Sequence, residues 1–179
     1  MDASVAANAR VRLRQAGLAD AELLDAWHTA EYTGEFNDFG VPHGPVRPLI
    51  EANGMIGEGG GTLIVELATG LRPIGTISWR AVRYGPNPES LAWNIGINLV
   101  PEGRGRGYGA EAQRLLVEHL LATTRLNRVE AMTDVDNAAE QRSLEKAGFQ
   151  REGVLRGAQF RAGRWHDLVV CSVTRPPAK

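Results

Sequence analysis

The chain has 179 residues, 43% of them apolar and 23% charged, and a formal net charge of −1 at pH 7, the composition of an ordinary globular protein. This balance gives no reason to expect a nucleic-acid or anionic membrane surface, and the single cysteine, Cys171, excludes an internal disulfide and a thiolate metal cluster. Neither a secretory signal nor an apolar run near the roughly 20 residues of a membrane span is visible, so we expect a cytoplasmic protein with one domain over residues 1–179 and a flexible leader over residues 1–9.

The first third of the chain alternates regular and irregular segments. Residues 11–14 alternate like a strand, and residues 19–30 have helical spacing with Asp20 as a candidate N-cap. Residues 32–47 are acidic, aromatic and interrupted by glycine and proline, which is typical of a binding loop rather than a plain connection. A short helix over residues 49–55 follows and ends in a glycine-rich turn.

The rest of the chain predicts a sheet with helices packed on it. Three β-rich runs joined by short turns predict an antiparallel meander over residues 62–67, 74–82 and 90–99. Amphipathic periodicity then predicts two helices, at 110–122 and 137–147, the second stopped by Gly148. Further strands are predicted at 128–133, 149–155 and 167–174, the last containing Cys171 as a buried residue. This order predicts an α+β fold with a mixed sheet.

A glycine-rich loop joins the third meander strand directly to the first of these two helices. Its alternating glycines free the backbone to turn N–H groups toward one point, and the helix start adds a partial positive charge. Arg104 and Arg106 lie between the glycines and add full charges. The loop over residues 99–110 therefore predicts a phosphate or pyrophosphate site, with a flexible turn as the alternative.

Two other phosphate motifs fit this loop less well. No Gly-Lys-Ser/Thr follows it, so the Walker pattern is absent. The run Gly105-Arg-Gly-Tyr-Gly-Ala110 does satisfy the alanine variant of the dinucleotide fingerprint. That fingerprint belongs to a parallel βαβ unit, whereas here an antiparallel meander comes first, so a nicotinamide or flavin site ranks below coenzyme A.

Two motifs in the right order resemble the GNAT superfamily of N-acetyltransferases. Arg104-x-x-Gly107-x-Gly109 matches its Arg/Gln-x-x-Gly-x-Gly/Ala signature, and residues 136–149, which end in Glu-Lys-Ala-Gly-Phe, are similar to a block of its RimJ/RimL-like branch. The run Trp-Asn-Ile-Gly-Ile-Asn-Leu over residues 93–99 has the form of the strand that precedes the signature. The similarity extends from about residue 91 to residue 174.

The resemblance implies a three-layer fold with a central mixed, largely antiparallel, seven-stranded sheet flanked by helices, splayed open beside its fourth strand to receive acetyl-coenzyme A. In such a fold the backbone of the fourth strand pairs with the pantetheine arm, the signature loop holds the pyrophosphate, and the asparagine that opens the next helix binds the pantetheine. The residues at these three places here are Ile97, Asn98 and Leu99, then Arg104, Gly105, Arg106, Gly107, Tyr108 and Gly109, and finally Asn137.

Acetyl transfer to an amine needs a deprotonated amine, a stabilised oxyanion and a proton for the leaving thiolate. A backbone N–H of the fourth strand can hold the oxyanion, and we expect that of Leu99. Relatives often carry a tyrosine where this chain has Leu144, a serine where it has Glu140 and a glutamate where it has Asn94. Direct transfer of the family's catalytic roles is therefore unsafe.

Glu140 and Ser143 are the remaining catalytic candidates, and each has a structural alternative. Asn137 and Glu140 have the spacing of a capping box, in which the glutamate returns a bond to the backbone. Ser143 is a candidate proton donor to the thiolate, or an ordinary serine on a helix face. If neither acts, ordered water can carry the proton while positioning supplies much of the rate.

The acidic loop is the candidate acceptor site. Glu31, Glu35 and Asp38 alternate with aromatic side chains that can hold a cationic amine, and a solvated loop packed by its own aromatics fits equally well. The four histidines show no metal-ligand spacing, and we expect no metal. A basic hairpin at residues 156–165 is interpreted as a charged turn.

Three functions stay open. The leading hypothesis is acetyl transfer from acetyl-coenzyme A to a primary amine, either a protein N-terminus or a small molecule. A dinucleotide-dependent oxidoreductase would need a ribose-binding acid, for which Asp134 is placed suitably. A non-catalytic acyl-coenzyme A sensor would account for the missing catalytic residues. Nucleic-acid and membrane partners are not expected, and a homodimer stays open because relatives are frequently dimers.

Overall fold

The computed structural model describes residues 4–176, and a nine-stranded sheet runs through this part of the chain. In chain order the elements are β1 (Ser4–Ala7), β2 (Val11–Gln15), α1 (Ala21–Ala26), α2 (Ala30–Thr33), α3 (Arg47–Asn53), β3 (Ile56–Gly57), β4 (Gly60–Leu67), β5 (Pro73–Arg83), β6 (Leu91–Leu99), α4 (Tyr108–Thr123), β7 (Arg128–Asp134), α5 (Ala138–Lys146), β8 (Gln150–Arg161) and β9 (Arg164–Thr174).

The sheet is mixed and largely antiparallel, as predicted. Its strand order is β1-β2-β4-β5-β6-β7-β9-β8, with β3 paired to β4. The meander β4-β5-β6 is antiparallel, and β6 and β7 pair in parallel around α4. All seven predicted strands are present among the described residues. The predicted number of seven strands is nevertheless too low, because the sheet also contains β1 and β3. These two strands are short, and their sequences lack an alternating apolar pattern.

The predicted flexible leader over residues 1–9 is corrected where the structure describes it. Ser4–Ala7 forms β1 and pairs antiparallel with β2, while residues 1–3 lie outside the described part. The predicted helix over residues 19–30 is also corrected, because α1 ends at Ala26 and α2 begins at Ala30. Asp20 does not cap α1 through its side chain, since both carboxylate oxygens accept hydrogen bonds of 2.8 Å from Arg14.

Two apolar clusters hold the helices on opposite faces of the sheet. The larger one packs the predicted apolar stripe of α4, including Leu116, which is 0% exposed, against β2, β4, β5, β6, β7 and β9. The smaller one packs α1 and α3 against Ile64 of β4. Cys171 is buried in β9, as predicted. No helix among residues 4–176 is long and apolar enough to cross a membrane.

Candidate functional site

A gap opens in the sheet between the second halves of β6 and β7. The two strands pair only at Trp93, Asn94 and Ile95, after which β7 continues along β9 while β6 continues along β5. The side of β6 that faces β7 therefore has no strand partner from Gly96 to Leu99. Buried main-chain groups need hydrogen-bond partners, so such a gap favours a ligand that can supply them.

The alternation of backbone groups along β6 identifies which residues face the gap. The N–H of Val100 donates to the carbonyl of Ile74, on the β5 side. Because successive residues of a strand point their backbone groups to opposite sides, Leu99 and Ile97 point theirs away from β5 and into the gap. The carbonyl of Leu99 already accepts a bond of 2.9 Å from Nε of Arg104.

The glycine-rich loop lies at the end of this gap. Gly105 and Gly107 have φ angles of 71° and 83°, which L-residues with side chains rarely adopt, and α4 begins immediately afterwards at Tyr108. The first N–H groups of this 16-residue helix have no acceptor in a preceding turn. The loop therefore presents backbone donors and the positive end of the helix dipole to the gap.

The two loop arginines are not equivalent. The guanidinium of Arg104 donates to the carbonyls of Glu31 at 2.9 Å and Tyr32 at 2.6 Å, in addition to that of Leu99. Arg104 thus ties α2 to the end of β6, a role that the sequence did not predict. The carbonyl of Arg106 accepts a bond of 2.7 Å from Arg10, which also pairs with Glu111.

A cavity of about 580 Å³ connects the gap, the loop and α5. Most of the predicted cofactor and catalytic residues line it, although Arg106 and Tyr108 are not among its described lining. The predicted residues that do so are Ile97, Asn98, Leu99, Arg104, Gly105, Gly107, Gly109, Asn137, Glu140 and Ser143.

Glu140 forms only half of the predicted capping box. Its N–H donates to Oδ1 of Asn137 at 3.2 Å, but the N–H of Asn137 donates to the carbonyl of Asp134 and not to the Glu140 carboxylate. The Glu140 carboxylate accepts a hydrogen bond from Nε2 of Gln113. Burial raises the pKa of Glu140 from 4.5 to about 7, and the bond from Gln113 only partly opposes this rise.

Gln113 is a site residue that the sequence analysis missed. It is 1% exposed and belongs to α4, where it is a polar residue within the buried stripe. Its Oε1 accepts a hydrogen bond of 3.1 Å from the hydroxyl of Ser143, so its amide joins Ser143 to Glu140. A Cβ atom built on Gly109 would lie 3.4 Å from Oγ of Ser143, which places this hydroxyl beside the start of α4.

A second cavity, of about 470 Å³, lies against the acidic loop. It shares Thr33, Asn37, Ile97 and Asn98 with the first, so the two meet at the end of β6.

The three acidic residues predicted for the acceptor site are not brought together. Asp38 lines the second cavity, Glu35 lines the first, and Glu31 is not among the described lining of either.

Tyr32 of the acidic loop is a structural anchor rather than an open aromatic face. It is 7% exposed and stacks on Trp27 with ring centroids 5.1 Å apart. Its hydroxyl lies 2.8 Å from Oγ1 of Thr76 and donates to the carbonyl of Asn98 at 3.2 Å. Burial raises the pKa of Tyr32 to about 12, so the hydroxyl stays protonated and fixes the loop to β5 and β6.

A buried ionic cluster holds the same loop at Phe36. Asp134 is 3% exposed and contacts Arg161 at 2.5 Å and Nδ1 of His166 at 2.7 Å. Burial alone would raise the pKa of Asp134, but bonds from the Asp136 N–H, Arg161 and His166 hold it below its usual value. Arg161 also donates to the carbonyl of Phe36 at 3.1 Å.

This cluster corrects two sequence interpretations. The Asp134 carboxylate is buried against Arg161 and His166 and is not free to bind a ribose, so the residue that supported an oxidoreductase no longer does. Arg161 is 4% exposed and ion-paired, so this part of the predicted basic hairpin is not a solvated turn. No group of three or more potential metal ligands occurs within residues 4–176.

Comparisons with known proteins agree with this geometry. A family model described as an acetyltransferase (GNAT) domain matches residues 10–150. The uncharacterized N-acetyltransferase YoaA of Bacillus subtilis (strain 168) is 33% identical over 103 residues, which cover 58% of this chain and 56% of that protein. This chain thus spans little more than half of that relative.

Two other similarities extend over nearly the whole chain. The uncharacterized N-acetyltransferase p20 of Bacillus licheniformis is 27% identical over 176 residues, 93% of each protein. The solved structure of RimL, an alpha-N-protein acetyltransferase in complex with coenzyme A, has a TM-score of 0.78 and 17% identity over 96% of this chain and 97% of that one. At that identity the likeness concerns the fold.

Proposed function

The chain belongs to the acetyltransferase (GNAT) family, and from this premise we propose that it transfers the acetyl group of acetyl-coenzyme A to a primary amine. The single observation that carries the proposal is the gap beside β6, which leads directly to the glycine-rich loop at the start of α4. Acetyl-coenzyme A would supply the reactive thioester there. Side chains and backbone groups of this chain would bind the donor, stabilise the oxyanion and move the protons.

The residues around the gap fit the parts of coenzyme A. The backbone groups of Ile97 and Leu99 suit a linear amide chain, as an added strand would. The positive-φ glycines and the N-terminus of α4 suit a pyrophosphate, and Arg106 adds a positive charge beside them. Asn137 uses its carbonyl oxygen to cap α5, so its amide nitrogen is the part that can donate to the pantetheine.

Leu99 and Ser143 are assigned to the reacting centre. The N–H of Leu99 points into the gap and would donate to the oxyanion that develops on the acetyl carbonyl. The Ser143 hydroxyl lies in the same cavity, beside the start of α4, and would donate its proton to the leaving sulfur.

Gln113 would fix the orientation of the Ser143 hydroxyl. Gln113 in turn is held by Glu140, whose carboxylate accepts a hydrogen bond from the Gln113 amide and whose pKa is raised to about 7 by burial.

The acceptor amine is proposed to enter through the second cavity, which meets the first at Asn98. Asp38 is the acidic residue of that cavity and suits a cationic amine. The likeness of residues 136–149 to the RimJ/RimL-like block favours a protein N-terminus as acceptor, with a small-molecule amine as the other acceptor class. We also propose a cytoplasmic location and retain the homodimer as a proposal.

A non-catalytic acyl-coenzyme A sensor is the second candidate, and one observation favours it. Leu144, which occupies the position of the family's tyrosine, is 0% exposed in the core, and Asn94, at the position of the glutamate, is buried and donates to Glu130 at 3.3 Å. Neither residue can serve the family's acid–base chemistry. Catalysis then depends on the groups of the two cavities, whereas a sensor would need only the donor site.

A binding screen followed by a turnover assay separates these functions. Thermal unfolding is measured with acetyl-coenzyme A, coenzyme A, NAD⁺ and NADP⁺, and thiol release is then followed with a panel of alkylamines and peptides. We expect stabilisation by both forms of coenzyme A and thiol release that depends on the amine. Binding without turnover on any amine would favour the sensor, and stabilisation by NAD⁺ or NADP⁺ alone would overturn the proposal.

A further inference from the structure

The second cavity contains two histidines that have no role in the binding and transfer of the acetyl group proposed for the first cavity. His28 lies two residues after the end of α1, and its ring stacks on that of His43 with centroids 4.4 Å apart and planes 21° from parallel. Both rings line the cavity together with Asp38, and these are the only titratable residues in its described lining. The strands at its floor contribute Thr76, Ser78 and Asn98, none of which can accept a proton near neutral pH.

From this placement we infer that His28 is the general base that removes a proton from the acceptor ammonium before acetyl transfer. The inference rests on the proposed function, since it assigns a role in that reaction. An alkylamine is almost entirely protonated at neutral pH and cannot attack a thioester in that form. An imidazole is the side chain whose ordinary pKa is best suited to accept the proton there.

The surroundings of His28 favour the neutral ring that a base requires. Partial desolvation of its ring lowers the pKa of His28 although the residue is exposed overall, and the adjacent His43 lowers it further because two stacked imidazolium ions would repel each other. Asp25 of α1 opposes this effect, but its carboxylate is also an acceptor for the N–H of Val46 at 3.0 Å. From the loop, Asp38 faces the same cavity, and its Oδ1 accepts the N–H of Gly40 at 3.0 Å.

Two other carboxylates near the site, those of Glu140 and Glu130, are less suitable as bases. Glu140 belongs to the first cavity and is held by Gln113. Glu130, in β7 beside β6, is 0% exposed and bonded to Asn94, Tyr84 and Arg128. Asp38 would hold the substrate in its ammonium form, and His28 would then remove a proton from that ammonium to give the free amine.

The step balances without a further reactant. His28 takes one proton from the ammonium nitrogen, whose lone pair then forms the new N–C bond with the acetyl carbon. The C–S bond breaks, the sulfur takes the proton of Ser143, and the remaining extra proton of the amide nitrogen passes through solvent to restore the Ser143 hydroxyl. The imidazolium of His28 returns its proton to solvent through the mouth of the cavity, where the ring is exposed.

The test compares His28→Gln with the wild-type protein by measuring kcat/KM for an alkylamine from about pH 6 to about pH 10. We expect a loss of about 10²-fold or more near pH 7, and a loss that narrows toward pH 10 as free amine becomes abundant. Affinity for coenzyme A should be unchanged. The matched control is His119→Gln, which changes a histidine of α4 outside both cavities and should leave kcat/KM unaltered.

A second variant tests the pairing itself. His43→Phe keeps a stacked ring but removes its charge, so the pKa of His28 should rise and the acidic limb of the kcat/KM profile should move to higher pH. A His28→Gln loss that is constant across the pH range, a loss of coenzyme A affinity, or an unmoved limb in His43→Phe would overturn the inference. Wild-type protein that binds coenzyme A but acetylates no amine would overturn the proposed function and this inference with it.

Discussion

The hydroxyl of Ser143 in α5 donates to Oε1 of Gln113 in α4 across 3.1 Å, although the two residues lie 30 positions apart. The amide of Gln113 then donates to Glu140, so one buried glutamine orients both predicted catalytic side chains. The acid–base chemistry of the first cavity therefore depends on the contact between α4 and α5.

Replacement of Ser143 tests its role as proton donor. Ser143→Ala should lower kcat by about 10²-fold, because the leaving thiolate then has to take its proton from water. The KM for acetyl-coenzyme A should change little, since the backbone groups that bind the donor remain. Thiol release with a saturating amine measures both constants. Ser90→Ala, in a turn outside both cavities, is the control, and a Ser143→Ala enzyme with normal kcat would contradict the assignment.

Glu140→Gln should change how stability depends on pH. The folded-state pKa of about 7 lies above the ordinary 4.5, so the folded protein keeps a proton that the unfolded chain releases between these values. The wild-type free energy of unfolding should therefore fall as pH rises from 4.5 to 7, by up to about 3 kcal/mol. The glutamine variant should lack this fall and be the more stable protein above pH 7.

Urea unfolding at several pH values measures this difference. Glu145→Gln, which changes an exposed glutamate of the same helix, should follow the wild-type curve. If Glu140→Gln and the wild-type protein show the same pH dependence, Glu140 titrates normally in the folded state. A collapse of turnover in Glu140→Gln with intact folding would in addition assign it a catalytic role.

The two loop arginines should separate into a structural and a binding residue. Arg104→Ala removes three hydrogen bonds to backbone carbonyls and should lower the free energy of unfolding by about 1–3 kcal/mol. Arg106→Ala should instead weaken coenzyme A binding while stability stays near wild type. The double variant should lose about 1–3 kcal/mol of binding free energy.

Calorimetric titration with coenzyme A and denaturant unfolding together resolve these effects. Arg114→Ala is the control, since Arg114 is an exposed arginine of α4 that pairs only with Glu118 among the contacts described for it. Unchanged coenzyme A affinity in the double variant would mean that the pyrophosphate binds elsewhere.

The buried pair of Arg161 and Asp134 should be costly to break. Arg161→Met leaves the Asp134 carboxylate without its principal cation and should destabilise the fold by about 3–5 kcal/mol. It also removes the bond to the Phe36 carbonyl, so the KM for the amine should rise. Arg164→Met, at the exposed start of β9 in the same hairpin, should show neither effect. Unfolding curves and acceptor titrations that are alike for both variants would contradict the assigned role of Arg161.

The fold was largely predictable because its signals are local. Apolar alternation in the meander, the apolar stripe of α4 and the turn after α5 all lie within single elements, and each prediction was confirmed to within a few residues. The break between α1 and α2 was missed because the helical spacing of Leu23, Leu24 and Trp27 extends past the end of α1 into it, whereas the stacking of Trp27 on Tyr32 is a tertiary contact.

The site was less predictable, because its main contacts join residues distant in sequence. In the sequence, nothing marks Gln113 as a site residue, because only the packing of α5 on α4 brings Glu140 to it. Arg161 was interpreted as part of a charged turn, because its contacts with Asp134 and Phe36 exist only once the sheet has formed. A polar residue within an apolar helical stripe was the one available signal for Gln113.

The most direct test of the account is transfer of an isotopically labelled acetyl group from acetyl-coenzyme A to an alkylamine or a peptide, followed by mass spectrometry. The account predicts a labelled amide product that forms only when protein, donor and amine are all present, and that forms far more slowly with His28→Gln than with the wild-type protein near neutral pH. A protein that binds coenzyme A in the gap beside β6 but leaves every amine unlabelled would contradict it.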